Sequence, residues 1–221
     1  GVAVTPDGRF VYAVNEGAES NSVTIFRVGS WERVKEIRVG KNPHNVAFAP
    51  GRQMAYVSNG GSNTVSKIRY TDNTYRGDIA LDGSGVPHNV AVTPEGKYLL
   101  VTRNGAEDLT VVNLRTEEDI AHIALSPQHY GVDISPDGRW AYVTGIGGTV
   151  VNVIDLARME RIKQVEVGKG PHGVRFSPDG DRAYVAVSAL DQVVVLDTDS
   201  HRVLRRIASP GFPFWIAVPG R

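Results

Sequence analysis

Five segments of this chain repeat one pattern at a spacing of 42 to 44 residues. GVAVTPDGRFVYAVN begins at Gly1, NVAFAPGRQMAYVSN at Asn45, NVAVTPEGKYLLVTR at Asn89, GVDISPDGRWAYVTG at Gly131 and GVRFSPDGDRAYVAV at Gly173. Pro6, Pro50, Pro94, Pro136 and Pro178 keep one register, and WIAVPGR opens a sixth copy at Trp215. A strand-rich repeat of this length belongs to a propeller or another array, because one unit cannot bury its own apolar face and needs its neighbours to do so. The repeat also means that most motif-like residues serve architecture.

The fifth repeat can be read strand by strand. Residues 173–177 are a short apolar strand, and Pro178-Asp179-Gly180 is a tight turn, with proline fixing φ and glycine accepting positive values. Residues 182–187 and 193–197 are two further strands, and Thr198-Asp199-Ser200 turns the chain again. Residues 202–207 alternate apolar and charged, as a half-exposed outer strand does. Four short antiparallel strands in this length make a propeller blade. The fourth strand of each repeat carries the charges, such as Glu32, Arg33, Lys35, Glu36 and Arg38, which suits a sheet edge that must resist edge-to-edge pairing. No segment holds a helical period. The fold expected is all-β: a β-propeller of four-stranded antiparallel blades, five of them visible, over 1–42, 43–86, 87–128, 129–170 and 171–211. Residues 212–221, with a strand at 216–218, are read as the innermost strand of a further blade. Because Gly1 falls where an innermost strand begins, the expectation is part of a six- or seven-bladed ring, closed by preceding sequence or by another chain; the alternative is a self-contained five-bladed ring with residues 215–219 as an extra tail.

Lys and Arg number 24, Asp and Glu 24, so the formal net charge is zero and there is no electrostatic reason to expect nucleic acid as a partner. No apolar run approaches the length of a membrane span. The chain has no cysteine, which excludes disulfides, thiolate metal sites and a cysteine nucleophile.

The block P-x-G-V-A-x-S-P-D-G-x-x-x-Y-V-x-N, followed by a valine strand, resembles the YVTN-repeat β-propellers. The naming tetrapeptide stands as YAVN at 12–15, YVSN at 56–59, LVTR at 100–103, YVTG at 142–145 and YVAV at 184–187. Similar repeats occur in surface-layer and periplasmic proteins, in lactonases of the 6-phosphogluconolactonase type and in the propellers of haem d nitrite reductases. The resemblance therefore implies a periplasmic or extracellular protein, and it leaves activity open because one fold hosts many functions.

Three histidines share one repeat position, His44, His88 and His172; the fourth repeat has Tyr130 there with His129 beside it, and the next start has Phe214. Equivalent positions in a propeller are related by rotation, so these residues are expected around one mouth of the channel. Two readings stand. The imidazoles can meet a ligand, with charge that switches near neutral pH, or each can bond a loop carbonyl and pack under the next blade. Repetition favours the second. Departures from the repeat are more telling. Ala3, Ala47, Ala91 and Ala217 share a position that Asp133 and Arg175 take in the fourth and fifth repeats, which suggests an ion pair or a charged anchor for a polar ligand. Arg103 replaces Asn15 and Asn59; it reads as a solvated side chain or an anion contact. His122 and His201 read as solvated.

Asp7, Asp137 and Asp179 read as turn residues, and Asp155 and Asp197 as partners of local amides. There is no His-x-His or His-Glu-x-x-His metal spacing, no phosphate loop and no Gly-x-Ser-x-Gly elbow. The residues name neither a catalytic group nor a cofactor. The reading is a binding or scaffold propeller that takes a small molecule or a protein at the channel mouth through His44, His88, His129, Tyr130, His172, Asp133, Arg175 and Arg103. Two alternatives come from the resemblance: a lactonase-like hydrolase of a sugar lactone, and a tetrapyrrole- or redox-linked periplasmic module.

Overall fold

The structure, a computed structural model, describes residues 1–17, 19–125 and 130–219. Among the described residues twenty strands form five four-stranded sheets, each ordered as its strands follow in the chain. The first sheet holds β1 (Val2–Val4), β2 (Phe10–Asn15), β3 (Ser22–Arg27) and β4 (Arg33–Arg38). The second holds β5 (Pro43–Ala49), β6 (Met54–Asn59), β7 (Thr64–Arg69) and β8 (Thr74–Ala80). β9 (Val86–Val92), β10 (Tyr98–Asn104), β11 (Asp108–Asn113) and β12 (Glu118–Ala124) make the third. β13 (Val132–Ile134), β14 (Trp140–Thr144), β15 (Val150–Asp155) and β16 (Glu160–Glu166) make the fourth. The fifth comprises β17 (Pro171–Phe176), β18 (Arg182–Val187), β19 (Gln192–Asp197) and β20 (Arg202–Ala208). Pairing is antiparallel throughout. No α-helix occurs among the described residues; two three-residue 3-10 turns, Pro50–Arg52 and Ser188–Leu190, supply the helical content. The expected all-β propeller of four-stranded blades is what folds. Residues 216–218, expected as a further strand, carry no strand pairing.

The chain divides into two compact units inside the third sheet. One is Gly1–Val101 with Val111–Ile120, the other Thr102–Thr110 with Ala121–Arg221. In the first unit, Tyr12, Val23, Ile25, Ala55, Val57 and Ile68 join one buried cluster. Phe48 stands between the Tyr12 and Tyr70 rings, edge-on to both, with centroids 5.3 and 5.5 Å away. In the second unit, Tyr142, Val153, Val174, Phe176, Val185 and Leu196 do the same, and the Tyr142 and Phe176 rings lie 4.6 Å apart. Each such Val, Ile, Leu or Phe side chain contributes about 1.5–3 kcal/mol by leaving water. Successive side chains of a strand point to opposite faces, and second strands such as β6, β10 and β14 are buried along nearly their whole length. The outermost strands keep their charges in water: every residue of β20 but Val203 is exposed.

Two turns recur. In the first, the hydroxyls of Thr5, Ser135 and Ser177 donate to Oδ1 of Asp7, Asp137 and Asp179 at 2.6, 2.6 and 2.5 Å. The same oxygens accept the amides of Arg9, Arg139 and Asp181. The Ser177 hydroxyl foremost, with the Asp181 amide, holds the Asp179 carboxyl below its ordinary range. The second turn joins the third and fourth strands. Its left-handed residue is Trp31, Asn73, Glu117, Met159 or His201, with φ between 52° and 62°. Asp155 and Asp197 brace two of these turns by accepting the amides of Ala157 and Ser200, as expected.

His201 therefore sits in a turn whose side chain points back into the protein. It is 7% exposed, and its Nδ1 lies 2.7 Å from the Tyr142 hydroxyl, so the solvated reading is wrong. Trp140 meets its ring edge-to-face at 4.8 Å. Burial, with the positive charges of Lys163 and Arg139 next, lowers the His201 pKa against the opposing pull of Asp197 and Asp199. The first unit builds the same tie with a different residue: the Tyr12 hydroxyl donates to Asn73 Oδ1 at 2.6 Å.

Candidate functional site

The residues expected at the channel mouth belong to the inner strands themselves. In β5, Pro43 pairs with Asn59 and Val46 with Val57, so the register shifts across His44 and Asn45. In β17 the shift falls between Pro171 and Val174, across His172 and Gly173. Such a bulge adds a residue on one strand and re-aims its side chain. Strand and bulge together explain why the histidine precedes the valine of the repeat at a constant distance.

In the first unit the bulge brings two imidazoles together. The His44 and His88 rings lie 3.5 Å apart at 31°. Glu16 reaches His44 Nε2 at 3.5 Å from beyond the end of β2. Burial is the largest influence on His44 and lowers its pKa, with Glu16 opposing.

In the second unit the stack continues with other rings. Tyr130 lies 5.8 Å from His172 at 24°, and His172 lies 3.8 Å from Phe214 at 26°. Trp215 meets His172 edge-to-face at 5.2 Å. The Phe214 carbonyl stands 3.1 Å from His172 Nδ1 and accepts the Gly173 amide at the same distance. A carbonyl only accepts, so Nδ1 carries the proton. A Cβ at Gly173 would stand 2.9 Å from that carbonyl, which is why the position must be small. His172 is 3% exposed, whereas Phe214 and Trp215 are 47% and 42% exposed.

Asp133 and Arg175 come together as their register implies. They face Tyr142 and Tyr184 across their sheets, and Arg175 Nη1 lies 3.9 Å from Asp133 Oδ1. Asp133 Oδ2 accepts the Phe176 amide at 2.8 Å, so the carboxylate bridges strands β13 and β17. The Arg175 guanidinium also lies 5.9 Å from the Trp215 ring centre, and its side chain keeps a third of its surface in solvent. Chemically, a guanidinium fork beside an exposed aromatic face is an arrangement able to meet an anion.

Arg103 departs from the solvated reading. It is 1% exposed, and its Nη1 approaches the Thr110 hydroxyl at 3.4 Å. It fills the place where Asn15 and Asn59 donate to hydroxyls of their own third strands, Thr24 and Ser66. His122 is half-exposed and pairs with Asp108 at 3.5 Å. His129 lies outside the described residues.

One feature of the repeat escaped the sequence reading. The residue before the Asn/Arg position is Ser58, Thr102 or Thr144, and each hydroxyl donates to the carbonyl of the next ring residue: His88 at 2.5 Å, Tyr130 at 3.0 Å, and His172. The serine or threonine of the tetrapeptide was the available signal. Among the described residues no group of His, Asp and Glu side chains is arranged to hold a metal, and no helix is long and apolar enough to cross a membrane.

Comparison with known proteins divides along the chain. The family of lactonases with a 7-bladed β-propeller matches residues 1–81, and the cytochrome D1 heme domain matches residues 122–213. A 6-phosphogluconolactonase of Formosa agariphila is 33% identical over 73 residues, 31% of this chain and 21% of that protein. A PE-PGRS family protein of Mycobacterium tuberculosis is 53% identical over 53 residues, 24% of this chain and 11% of that protein. The chain thus spans 21% of the first relative's length and 11% of the second's. Among solved structures, the hydrazine synthase of Kuenenia stuttgartiensis shares the fold, with a TM-score of 0.69 at 16% identity over 97% of this chain and 87% of its own.

His172 stands between Tyr130 and Phe214 with Nδ1 committed to a carbonyl, which leaves Nε2 as its basic nitrogen, and it is 3% exposed. His44 and His88 cover one another's ring faces.

Proposed function

We propose a ligand-binding role for this chain, which is a β-propeller of the kind shared by lactonase-type and haem d1-type proteins. The ligand is a small anionic molecule, anchored by the Arg175 guanidinium and laid against Trp215. Asp133 sets the guanidinium's direction, and the ring residues Tyr130, His172 and Phe214 form the floor. His44 and His88 are the counterpart in the first unit. The observation that carries this reading is the Arg175 side chain: it breaks the repeat, meets a buried carboxylate on one side and keeps solvent on the other. The setting proposed is the periplasm or the cell exterior, in keeping with the resemblance and the absence of cysteine.

The test is a thermal-shift screen of small carboxylates and phosphate esters against the protein and Arg175→Ala. Ligands should raise the melting temperature of the parent and not of the variant, while the unliganded melting temperatures stay within a few degrees. Equal shifts in both proteins would remove Arg175 from the site.

A second reading is favoured by the lactonase match over residues 1–81 and by the Formosa relative. It makes the chain part of a sugar-lactone hydrolase. Turnover of 6-phosphogluconolactone above the spontaneous rate, lost in a variant of the Glu16–His44 pair, would decide for it.

A further inference from the structure

We propose that Asn104 and Gly105, at the end of β10, form a site of spontaneous covalent modification, at which the chain loses ammonia and acquires a carboxylate without an enzyme. The site shares no residue with the Arg175 corner. Asn-Gly occurs twice in this chain, at 59–60 and at 104–105, and the two copies stand one residue apart in the repeat. Asn59 is the last residue of its tetrapeptide, whereas Asn104 follows Arg103, the last residue of its own.

Side chains of a strand alternate between faces, so an offset of one residue sends the same dipeptide into opposite surroundings. Asn59 is wholly buried, and its side-chain nitrogen donates to the hydroxyls of Thr64 and Ser66 at 3.0 and 2.9 Å. The Gly60 amide that follows it donates to the Asn42 carbonyl at 2.9 Å. In the third repeat Arg103 takes the inward place, 1% exposed, and Asn104 is exposed to solvent. Among the described residues the Asn104 side chain has no hydrogen-bond partner, and neither has the Gly105 amide. The turn is closed one residue later, by the Ala106 amide on the Arg103 carbonyl at 3.3 Å. Gly105 has φ of 84°, and a Cβ there would meet nothing within 4 Å, so the turn is uncrowded.

The chemistry needs a backbone nitrogen that reaches the side-chain carbonyl before it. The Gly105 nitrogen bonds to Asn104 Cγ, the bond from Cγ to the side-chain nitrogen breaks, and that nitrogen leaves as ammonia with the proton the backbone amide gives up. Water then opens the cyclic imide at either carbonyl and leaves aspartate or isoaspartate at position 104. Glycine presents no Cβ to hinder the attack, and no hydrogen bond has to break first on either reacting group. At Asn59 the same step requires that bonds on both groups be broken inside the protein. The product adds one negative charge to a chain whose formal net charge is zero. In the isoaspartate form it also lengthens the main chain between β10 and β11 by one carbon.

The full chain is aged at mildly alkaline pH, which favours loss of the amide proton, and followed by ion exchange and by mass mapping of its peptides. The Asn104 peptide should convert about tenfold or more faster than the Asn59 peptide, which reacts only after local opening. In urea the two should convert at similar rates, because the dipeptide is the same. Asn104→Gln should remove the acidic species, since its longer side chain disfavours the cyclic imide, and should leave the melting temperature unchanged because the position is exposed. Asn104→Asp supplies the charge standard for the product. An Asn104 that stays intact in the folded chain while it converts in urea overturns the proposal. So does conversion of Asn59 at an equal rate in the folded chain, or an acidic species that forms as fast in Asn104→Gln.

Discussion

The two compact units carry one repeat and finish it differently. In the first, the inner-strand positions facing Tyr12 and Tyr56 are Ala3 and Ala47, and the packing there is apolar. In the second, Asp133 and Arg175 take those positions, and a buried carboxylate ties two inner strands together. The inter-sheet tie of Tyr12 ends on a neutral Asn73, whereas that of Tyr142 ends on a titratable His201. A repeat can thus hold its geometry while its polar partners are exchanged. The unit with charged exchanges sets a carboxylate and a guanidinium where the other has alanines, and a titratable imidazole where the other has an amide.

The largest contrast should come from one ring in each unit. Phe176 is fully buried, while its repeat equivalent Phe48 is only partly so. Phe176→Ala should cost about 3–5 kcal/mol and Phe48→Ala less, as read from denaturant midpoints at constant slope. Equal losses would show that the units are packed alike.

A middle-sized effect is expected at Asp133. Asp133→Ala leaves the Phe176 amide without its acceptor and should destabilise by about 1–3 kcal/mol. Ala47→Ser, at the equivalent place in the first unit, should change stability by less than about half that. If Asp133→Ala is neutral, the carboxylate is not a structural bridge and serves recognition alone.

The smallest effect separates the two tyrosine ties. Tyr142→Phe and Tyr12→Phe should each cost on the order of 1 kcal/mol. The first should also alter the pH profile. Burial lowers the His201 pKa from its ordinary 6.5, so the unfolded chain takes up a proton there before the folded one does. Stability from this site is complete above 6.5, falls as pH drops below it, and levels off once the folded form is protonated as well. His201→Asn, which copies Asn73, should flatten melting temperature between pH 7.5 and 5.5 relative to the parent. His44, whose pKa burial also lowers, contributes to the part that remains.

The fold was legible because its signals are local and recur: the Pro-Asp-Gly turn and the alternating valine strand each mean the same thing every time they appear. The Asp133–Arg175 approach was legible too, since register alone relates the two positions. Three things were not. His201 read as solvated because it precedes a charged outer strand; its left-handed φ, which turns the ring inward toward Tyr142, leaves no mark on composition. Arg103 read as solvated because arginine is rarely so deeply buried; only its place in the asparagine series, facing a third-strand hydroxyl, hinted at an inward course. The hydroxyl bonds from Ser58, Thr102 and Thr144 were hidden because their acceptors are backbone carbonyls, which no side-chain motif announces.

Those hydroxyls have a kinetic consequence. Each one fastens a second strand to the main chain of the following sheet's inner strand, so that strand cannot separate without breaking a bond outside its own ladder. Opening fluctuations should therefore involve neighbouring sheets jointly, and amide exchange along β9 and β17 should be gated by events in β6 and β14. The first and fifth repeats have Val14 and Ala186 at the hydroxyl position, and in the fifth the Ser188 hydroxyl, two residues on, donates instead to the Pro213 carbonyl at 2.6 Å. Slow exchange should accordingly be weakest in the first repeat, which makes the core of the chain, in time as well as in space, a nearest-neighbour property.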